Sequence, residues 1–416
     1  MFTVLDQQLK NIIQEIRHDF GTPFWLYDES KILKRIESLK QFDVIRYAQK
    51  ANSNIHILKI MLKNQVCVDS VSLGEIEKAT LAGFSNKEGR ASSIVYTSDM
   101  IDAETIRRVI ELNIPINAGS PQMLEQIGRV KEGHSVWLRI NPGFGHGHSN
   151  KTNTGGINSK HGIWHESLNE CYELIEKYKL NLVGLHMHIG SGVDYDHLAM
   201  VCDAMVKHAK ECPFPIQAIS AGGGISVPHT DNEKDIDIEK YFSIWDKARK
   251  EIESFYKKKI TLEIEPGRLL VSDSGYLVTE IRALKKMGSN NFVITNSGFN
   301  DLMRPAMYGS SHKISLIKNK DTKEQTIQSS IIAGSLCESG DVFTQDSLGI
   351  PQKVSIPTPQ VEDLIVIHNC GAYGASMSSN YNSKLLSPEF LLRKSKYEII
   401  RKKQSFEQLF QLEVDL

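Results

Sequence analysis

The stretch Val44-Ile45-Arg46-Tyr47-Ala48-Gln49-Lys50-Ala51-Asn52 is a short β-rich run that stops on a lone lysine. Read as a strand over Val44 to Ala48, it opens a series in which such runs alternate with longer amphipathic stretches. The further strand candidates are Gln65 to Asp69, Ser93 to Thr97, Pro115 to Ala118, Ser135 to Asn141, Leu182 to Ile189, Ala218 to Ala221 and Ile260 to Glu265. Between them, apolar residues recur three and four apart over Lys31 to Gln41, Leu73 to Gly83, Ala103 to Leu112, Pro121 to Val130 and Ser167 to Tyr178, which predicts helices. Eight strands with intervening helices predict an α/β fold, a (β/α)8 TIM barrel over residues 29–280.

After residue 280 the pattern changes. Strand runs at Phe292 to Thr295, Ile331 to Ala333, Leu364 to His368 and Tyr397 to Arg401 are separated by turn residues, which predicts a mostly-β domain over 281–416. The run Pro23-Phe24-Trp25-Leu26-Tyr27 is also strand-like, so residues 1–28 are assigned to that second domain. Two stretches have loop composition, Phe144 to Lys160 and Ser310 to Gln328, and the first follows a barrel strand, where an active-site loop would lie.

The 416 residues carry 49 basic and 50 acidic side chains, so overall charge calls for neither nucleic acid nor an anionic membrane. The N-terminus breaks its apolar residues with charge too early for a secretory signal, and no run reaches the ~18 apolar residues of a membrane span. The expectation is a cytoplasmic protein with a small-molecule partner. Its six cysteines lack the spacing of a metal or redox motif.

The polar motifs fall at the C-terminal ends of the predicted strands, where barrel active sites sit. Lys50 would project into the barrel mouth, where a lysine amine can form a Schiff base, although a generic lysine is a solvated charge. His186 and His188, two apart on a strand, share a side and are followed by Gly190-Ser191-Gly192. A metal site is the rival reading, helped by His146, His148 and His161. Against it, no carboxylate or cysteine is spaced to complete a ligand set, whereas an imidazole could stack on a flat cofactor ring. Ser191 and Gly222-Gly223-Gly224 would suit a phosphate, the glycines through their backbone N–H groups, or the triplet could be a plain tight turn.

Glu265, held by Pro266, is followed by Gly267, which permits a sharp turn, and by Arg268. A carboxylate there could keep a pyridine nitrogen protonated, or it could simply pair with Arg268. Arg304, Tyr308, Glu338 and Tyr373 form a charged and phenolic set suited to a substrate bearing several charges. Cys337 could be a packed thiol, but between Gly334 and Glu338, Gly340 and Asp341 it suits a proton donor.

These motifs carry a resemblance. The runs YAQKAN, HMHIGSG, GGG, EPGR, GFNDLMRPAMYGS, CESGDVF and GAYGASMSSNYN occur in the order seen in the diaminopimelate decarboxylases, over roughly residues 20 to 415. The resemblance implies a fold-type III enzyme, with an alanine-racemase-like barrel and a C-terminal β domain. It would use pyridoxal 5'-phosphate to convert meso-2,6-diaminopimelate to L-lysine and carbon dioxide, the last step of lysine biosynthesis, without a metal. It implies that Lys50 carries the cofactor, that His188 stacks on its ring and that Glu265 meets the pyridine nitrogen. Ser191, Gly223, Gly224, Gly267, Arg268 and Tyr373 would surround the cofactor. Arg268, Arg304, Tyr308, Glu338 and Tyr373 would hold the substrate, and Cys337 would give the α carbon its proton. Asp69 matches a family acid beside the lysine. The resemblance further implies a homodimer in which Cys337 and Glu338 reach the other subunit's barrel. Ser335, Asn296-Ser297 and His229 depart from the family pattern without removing a catalytic group. Decarboxylases of ornithine, arginine or carboxynorspermidine, an amino-acid racemase and a pyridoxal-phosphate carrier are the alternatives.

Overall fold

Eight parallel strands close into a barrel: β1 (Val44–Ala48), β2 (Cys67–Ser70), β3 (Ile94–Ser98), β4 (Ile116–Ala118), β5 (Ser135–Asn141), β6 (Asn181–His186), β7 (Ala218–Ser220) and β8 (Thr261–Ile264). Each pairs with the next, and β8 pairs back onto β1 through Glu263 opposite Val44 and Ile264 opposite Ile45. The computed structural model describes residues 2–86, 92–145, 154–188, 190, 194–228, 233–319 and 326–414 of the 416. Its chain gathers into two units: Arg35–Ser226 with Asp235–Leu270, which holds the barrel, and Met1–Lys34 with Val227–Lys234 and Val271–Leu416.

The barrel strands are buried almost throughout, as strands covered on both faces must be. The helices between them start and stop where local chemistry dictates. Ser72 caps Leu73–Ala82 by accepting from Glu75 N, and Gly83 ends it at φ 104°, a left-handed conformation that favours glycine. Asp102 and Asp237 cap Ala103–Glu111 and Ile238–Tyr256 in the same way. Deep in the barrel, Arg46 of β1 meets Glu263 of β8 at 2.8 Å, both almost fully buried, and donates to Ser92 O at 2.8 Å. A buried ion pair of this kind persists because breaking it would strand a charge.

Strand β6 stops at His186, short of the expected Ile189, and residue 189 lies outside the described residues. The reason is the glycine run after β7. A Cβ on Gly222 would sit 2.4 Å from Met187 O, so the backbone beyond His186 packs against that run.

Among the described residues, the second unit holds a nine-stranded sheet. Its spine is the 13-residue strand Gly275–Met287, which pairs antiparallel with Phe24–Asp28, Leu364–Ile367 and Asn290–Thr295. Phe24–Asp28 also runs parallel to Glu389–Arg393, so the strand-like N-terminal run does join C-terminal strands. The helix before it, Gln7–Phe20, was not anticipated. Its signal is nonetheless present: Asp6 caps Leu9 N at 2.9 Å, and Leu9, Ile12, Ile13 and Ile16 form one buried face against Phe24, Val278 and Phe390. The expected loop Ser310 to Gln328 instead holds strand Ile314–Ile317 and the first residues of Ile327–Ala333, with residues 320–325 outside the described set. Its many lysines disguised a buried IleSerLeuIle run.

Candidate active site

Lys50 lies on the 3-10 turn Gln49–Ala51 directly after β1, its side chain exposed. The turn is fixed from beneath. Tyr47 Oη donates to Asn52 O at 3.0 Å, and Gln49 Nε2 donates to Ser70 Oγ at 2.6 Å and to Glu75 O at 3.1 Å. The lysine therefore stands on an ordered base while its amine stays open to a reacting partner.

Glu265 follows β8 and is 8% exposed. Its partner is not Arg268 but His186, whose Nε2 lies 2.8 Å from Oε2; Ser220 Oγ approaches Oε1 at the longer distance of 3.4 Å. Burial pushes the Glu265 carboxyl up, but its hydrogen bond with His186 and the nearby Arg46 charge outweigh burial and hold it down at about 2. Asp69, at the end of β2 and 3% exposed, goes the other way. Burial first, then the Glu265 charge, push it up to about 7 against the opposing pull of Thr97 and Lys50. Two buried carboxyls that feel each other's charge thus shift in opposite directions, Glu265 towards the anion and Asp69 towards the protonated form.

His188 is half-buried, and its Nδ1 accepts the backbone N–H of Gly223 at 3.1 Å. Burial, then Arg139, Lys50 and His186, push its pKa well down, so the ring is neutral with its proton on Nε2. The glycine run is more than a tight turn. A Cβ on Gly223 would meet Glu265 O at 2.4 Å and one on Gly224 would meet Gly190 O at 2.1 Å, so only glycine lets the ends of β6, β7 and β8 converge. Gly267 is buried and Arg268 half-buried, opening the short helix Arg268–Val271. Ser191, His146, His148 and His229 lie outside the described residues. His161, one of the histidines that helped the metal reading, instead binds Asp99 at 2.6 Å.

The second unit gathers the other candidates. Arg304, 7% exposed, lies 5.1 Å from the Tyr308 ring and 5.5 Å from the Tyr373 ring, and donates to Ser310 Oγ at 3.1 Å. Tyr373 has φ 56°, a left-handed backbone that is costly for a non-glycine residue and tends to mark functional positions. Cys337 and Glu338 are both exposed, on a turn that residues missed by sequence reasoning build. Asp341 accepts the N–H groups of Phe299 and Leu336, each at 2.7 Å, which knots the GFND and CESGD segments together. Tyr381 Oη bonds Glu338 Oε1, and its ring lies 5.3 Å from Phe299. The acid three residues past Glu338 and the tyrosine in NYN were the available signals. The departure at Asn296 is structural: its Oδ1 accepts from Thr279 Oγ1 at 2.8 Å and its Nδ2 donates to Thr22 Oγ1 at 2.9 Å.

A barrel with a lysine after its first strand, an anionic carboxylate after its eighth and a neutral histidine between them is the architecture of a barrel-type pyridoxal-phosphate enzyme. The family model for the pyridoxal binding domain of pyridoxal-dependent decarboxylases matches residues 29–272. The chain is 54% identical to a diaminopimelate decarboxylase of Streptomyces coelicolor, over 95% of this chain and 90% of that one. It is 52% identical to the diaminopimelate decarboxylase of Escherichia coli K12, over 99% and 98%. A crystal structure of a diaminopimelate decarboxylase superposes with a TM-score of 0.93 at 52% identity, covering 96% of each chain. One from Helicobacter pylori, complexed with L-lysine, gives 0.84 at 31% identity, covering 96% of this chain and 99% of that one. The chain belongs to the diaminopimelate decarboxylase family of pyridoxal-phosphate-dependent enzymes.

Proposed function

We propose that the chain decarboxylates meso-2,6-diaminopimelate to L-lysine and carbon dioxide in the cytoplasm, as a homodimer. The observation that carries the chemistry is the Glu265 carboxylate, buried and anionic with its Oε2 on His186. Such a group fits a protonated pyridine nitrogen, and the neutral His188 ring and exposed Lys50 amine fit the rest of pyridoxal phosphate. The substrate follows from near-full-length similarity to proteins named for that reaction.

When bound, pyridoxal phosphate supplies an electron sink for the negative charge left on the substrate α carbon as carbon dioxide departs. Lys50 would hold the cofactor covalently and yield its place to the substrate amine. His188 would cover one face of the ring, and Glu265 would keep a proton on the ring nitrogen. Ser191, Gly224 and Arg268, with Tyr373, would hold the phosphate, while the Gly223 N–H, already given to His188, would act mainly through that ring. Arg304, Tyr308 and Glu338 would bind the charged ends of the substrate. Arg304 is suited to a carboxylate that ornithine-type substrates lack. The Cys337 thiol would deliver a proton to the α carbon, and in a dimer Cys337 and Glu338 would serve the partner's barrel.

The test is carbon dioxide release from purified protein given meso-diaminopimelate, L-ornithine, L-arginine or L-lysine, with and without added pyridoxal phosphate. Cofactor-dependent release from meso-diaminopimelate alone is expected. Release from another amino acid instead would overturn the substrate, and none at all would favour a carrier.

A further inference from the structure

His186 is the one site histidine whose role the proposed reaction leaves open. It ends β6, is 1% exposed, and reaches past Ser220 of β7 to a residue that follows β8. Its Nδ1 is buried without a hydrogen-bond partner among the described residues, so the whole polar commitment of this side chain is the 2.8 Å contact to Glu265 Oε2. We propose that His186 is a positioning residue that fixes the Glu265 carboxylate and keeps it charged, and through it sets the protonation of the pyridine nitrogen. This rests on the reading that Glu265 faces that nitrogen.

A buried carboxylate needs a partner, and the nearest alternatives are committed elsewhere or weak. Arg46, which also draws on Glu265, is committed to Glu263 at 2.8 Å and to Ser92 O. Ser220 Oγ donates to Oε1 only at the long distance of 3.4 Å, a weak and uncharged contact, while also accepting the Gly222 N–H at 3.2 Å. Remove His186, and the cheapest relief for Glu265 is to take up a proton. A protonated Glu265 no longer favours a protonated ring nitrogen, so the sink weakens although no residue touching the ring has changed. With Oε2 held by His186, Oε1 remains the oxygen with capacity for a ring N–H.

The experiment compares wild type with His186→Leu and His186→Gln. Four quantities are read: affinity of the cofactor-free protein for pyridoxal phosphate, the visible spectrum of the bound cofactor, kcat and KM for meso-diaminopimelate, and cofactor-free melting temperature. His186→Leu is expected to shift the spectrum, weaken cofactor binding about tenfold and lower kcat about 100-fold with KM nearly unchanged. His186→Gln, which keeps an N–H donor, is expected to recover at least about tenfold of the lost kcat and most of the spectrum. A leucine variant that melts earlier but keeps the wild-type spectrum and cofactor affinity would reduce His186 to packing and overturn the proposal. So would a glutamine variant as impaired as leucine at an unchanged melting temperature. If leucine fails to fold, glutamine decides alone: a variant that melts like wild type but has lost the spectrum and kcat although it keeps the donor overturns the proposal. Wild type that binds the cofactor but does not act on meso-diaminopimelate would sink the substrate reading while leaving the affinity and spectral comparison intact.

Discussion

The barrel mouth and the CESGD turn both present candidate chemistry, but they hold it by opposite means. In the barrel, charges are buried in pairs: Arg46 with Glu263, and His186 with Glu265. On the turn, Cys337 and Glu338 stand exposed and the ordering acid, Asp341, lies beneath, binding backbone N–H groups rather than the reactive side chains. A buried charge depends on its neighbour for its protonation state, whereas an exposed thiol depends on its backbone only for place. Substitutions in the barrel should therefore alter cofactor chemistry, and substitutions on the turn should alter turnover with the cofactor untouched.

The sharpest break is at Lys50. Because its side chain is exposed, Lys50→Ala should leave the cofactor-free melting temperature unchanged while removing the covalent route, lowering kcat by roughly 10³-fold or more. Calorimetry beside a carbon dioxide assay checks both halves; a large loss of stability would show that the lysine has a structural duty the fold does not reveal. Next is Cys337→Ala, expected to keep the absorbance of bound pyridoxal phosphate and lose roughly 10²-fold to 10³-fold in kcat. Loss of the cofactor instead would place the thiol in binding, contrary to a proton-transfer role.

Asp341→Ala separates holding from reacting. It strands the N–H groups of Phe299, part-buried, and Leu336, buried, and should cost about 2 kcal/mol of stability and about tenfold in kcat. Equal stability of the variant in denaturant would mean the knot is dispensable.

The contrast also explains what the sequence could disclose. Strand period and strand-end motifs made the barrel legible, and β1 and β5 occupy the expected residues because their apolar runs end at polar chemistry. Lys50, His188 and Glu265 were legible because each ends or follows a strand. The bond between His186 and Glu265 was not, since it joins residues 79 apart through barrel closure. Spacing on one strand had suggested only that the two histidines share a side. Helix Gln7–Phe20 was not legible although its apolar face is regular, because charged and amide residues such as Lys10, Gln14, Glu15 and Arg17 break its apolar run. Asp341 was visible as a letter in CESGD, but its duty depends on Phe299, from another turn.

The smallest effect expected tests the division between Asp69 and Glu265. The Asp69 carboxyl is raised to about 7 in the folded, cofactor-free protein from an ordinary value of 3.8. The folded state therefore binds a proton that the unfolded state has released across that interval, so this group's contribution is complete below about pH 4 and fades as pH rises toward 7. Glu265 is lowered to about 2 from 4.5, so its contribution is present above about pH 4.5 and fades only below it. The two windows hardly overlap. Asp69→Asn cannot titrate, and subtracting its denaturant stability from that of wild type between pH 4 and 7 isolates the aspartate. Wild type should lose stability relative to the variant as pH rises over that range, the loss being moderated where Lys50 compensates the charge. A flat difference would mean that Asp69 is ionised throughout and that the two buried carboxyls do not divide the proton.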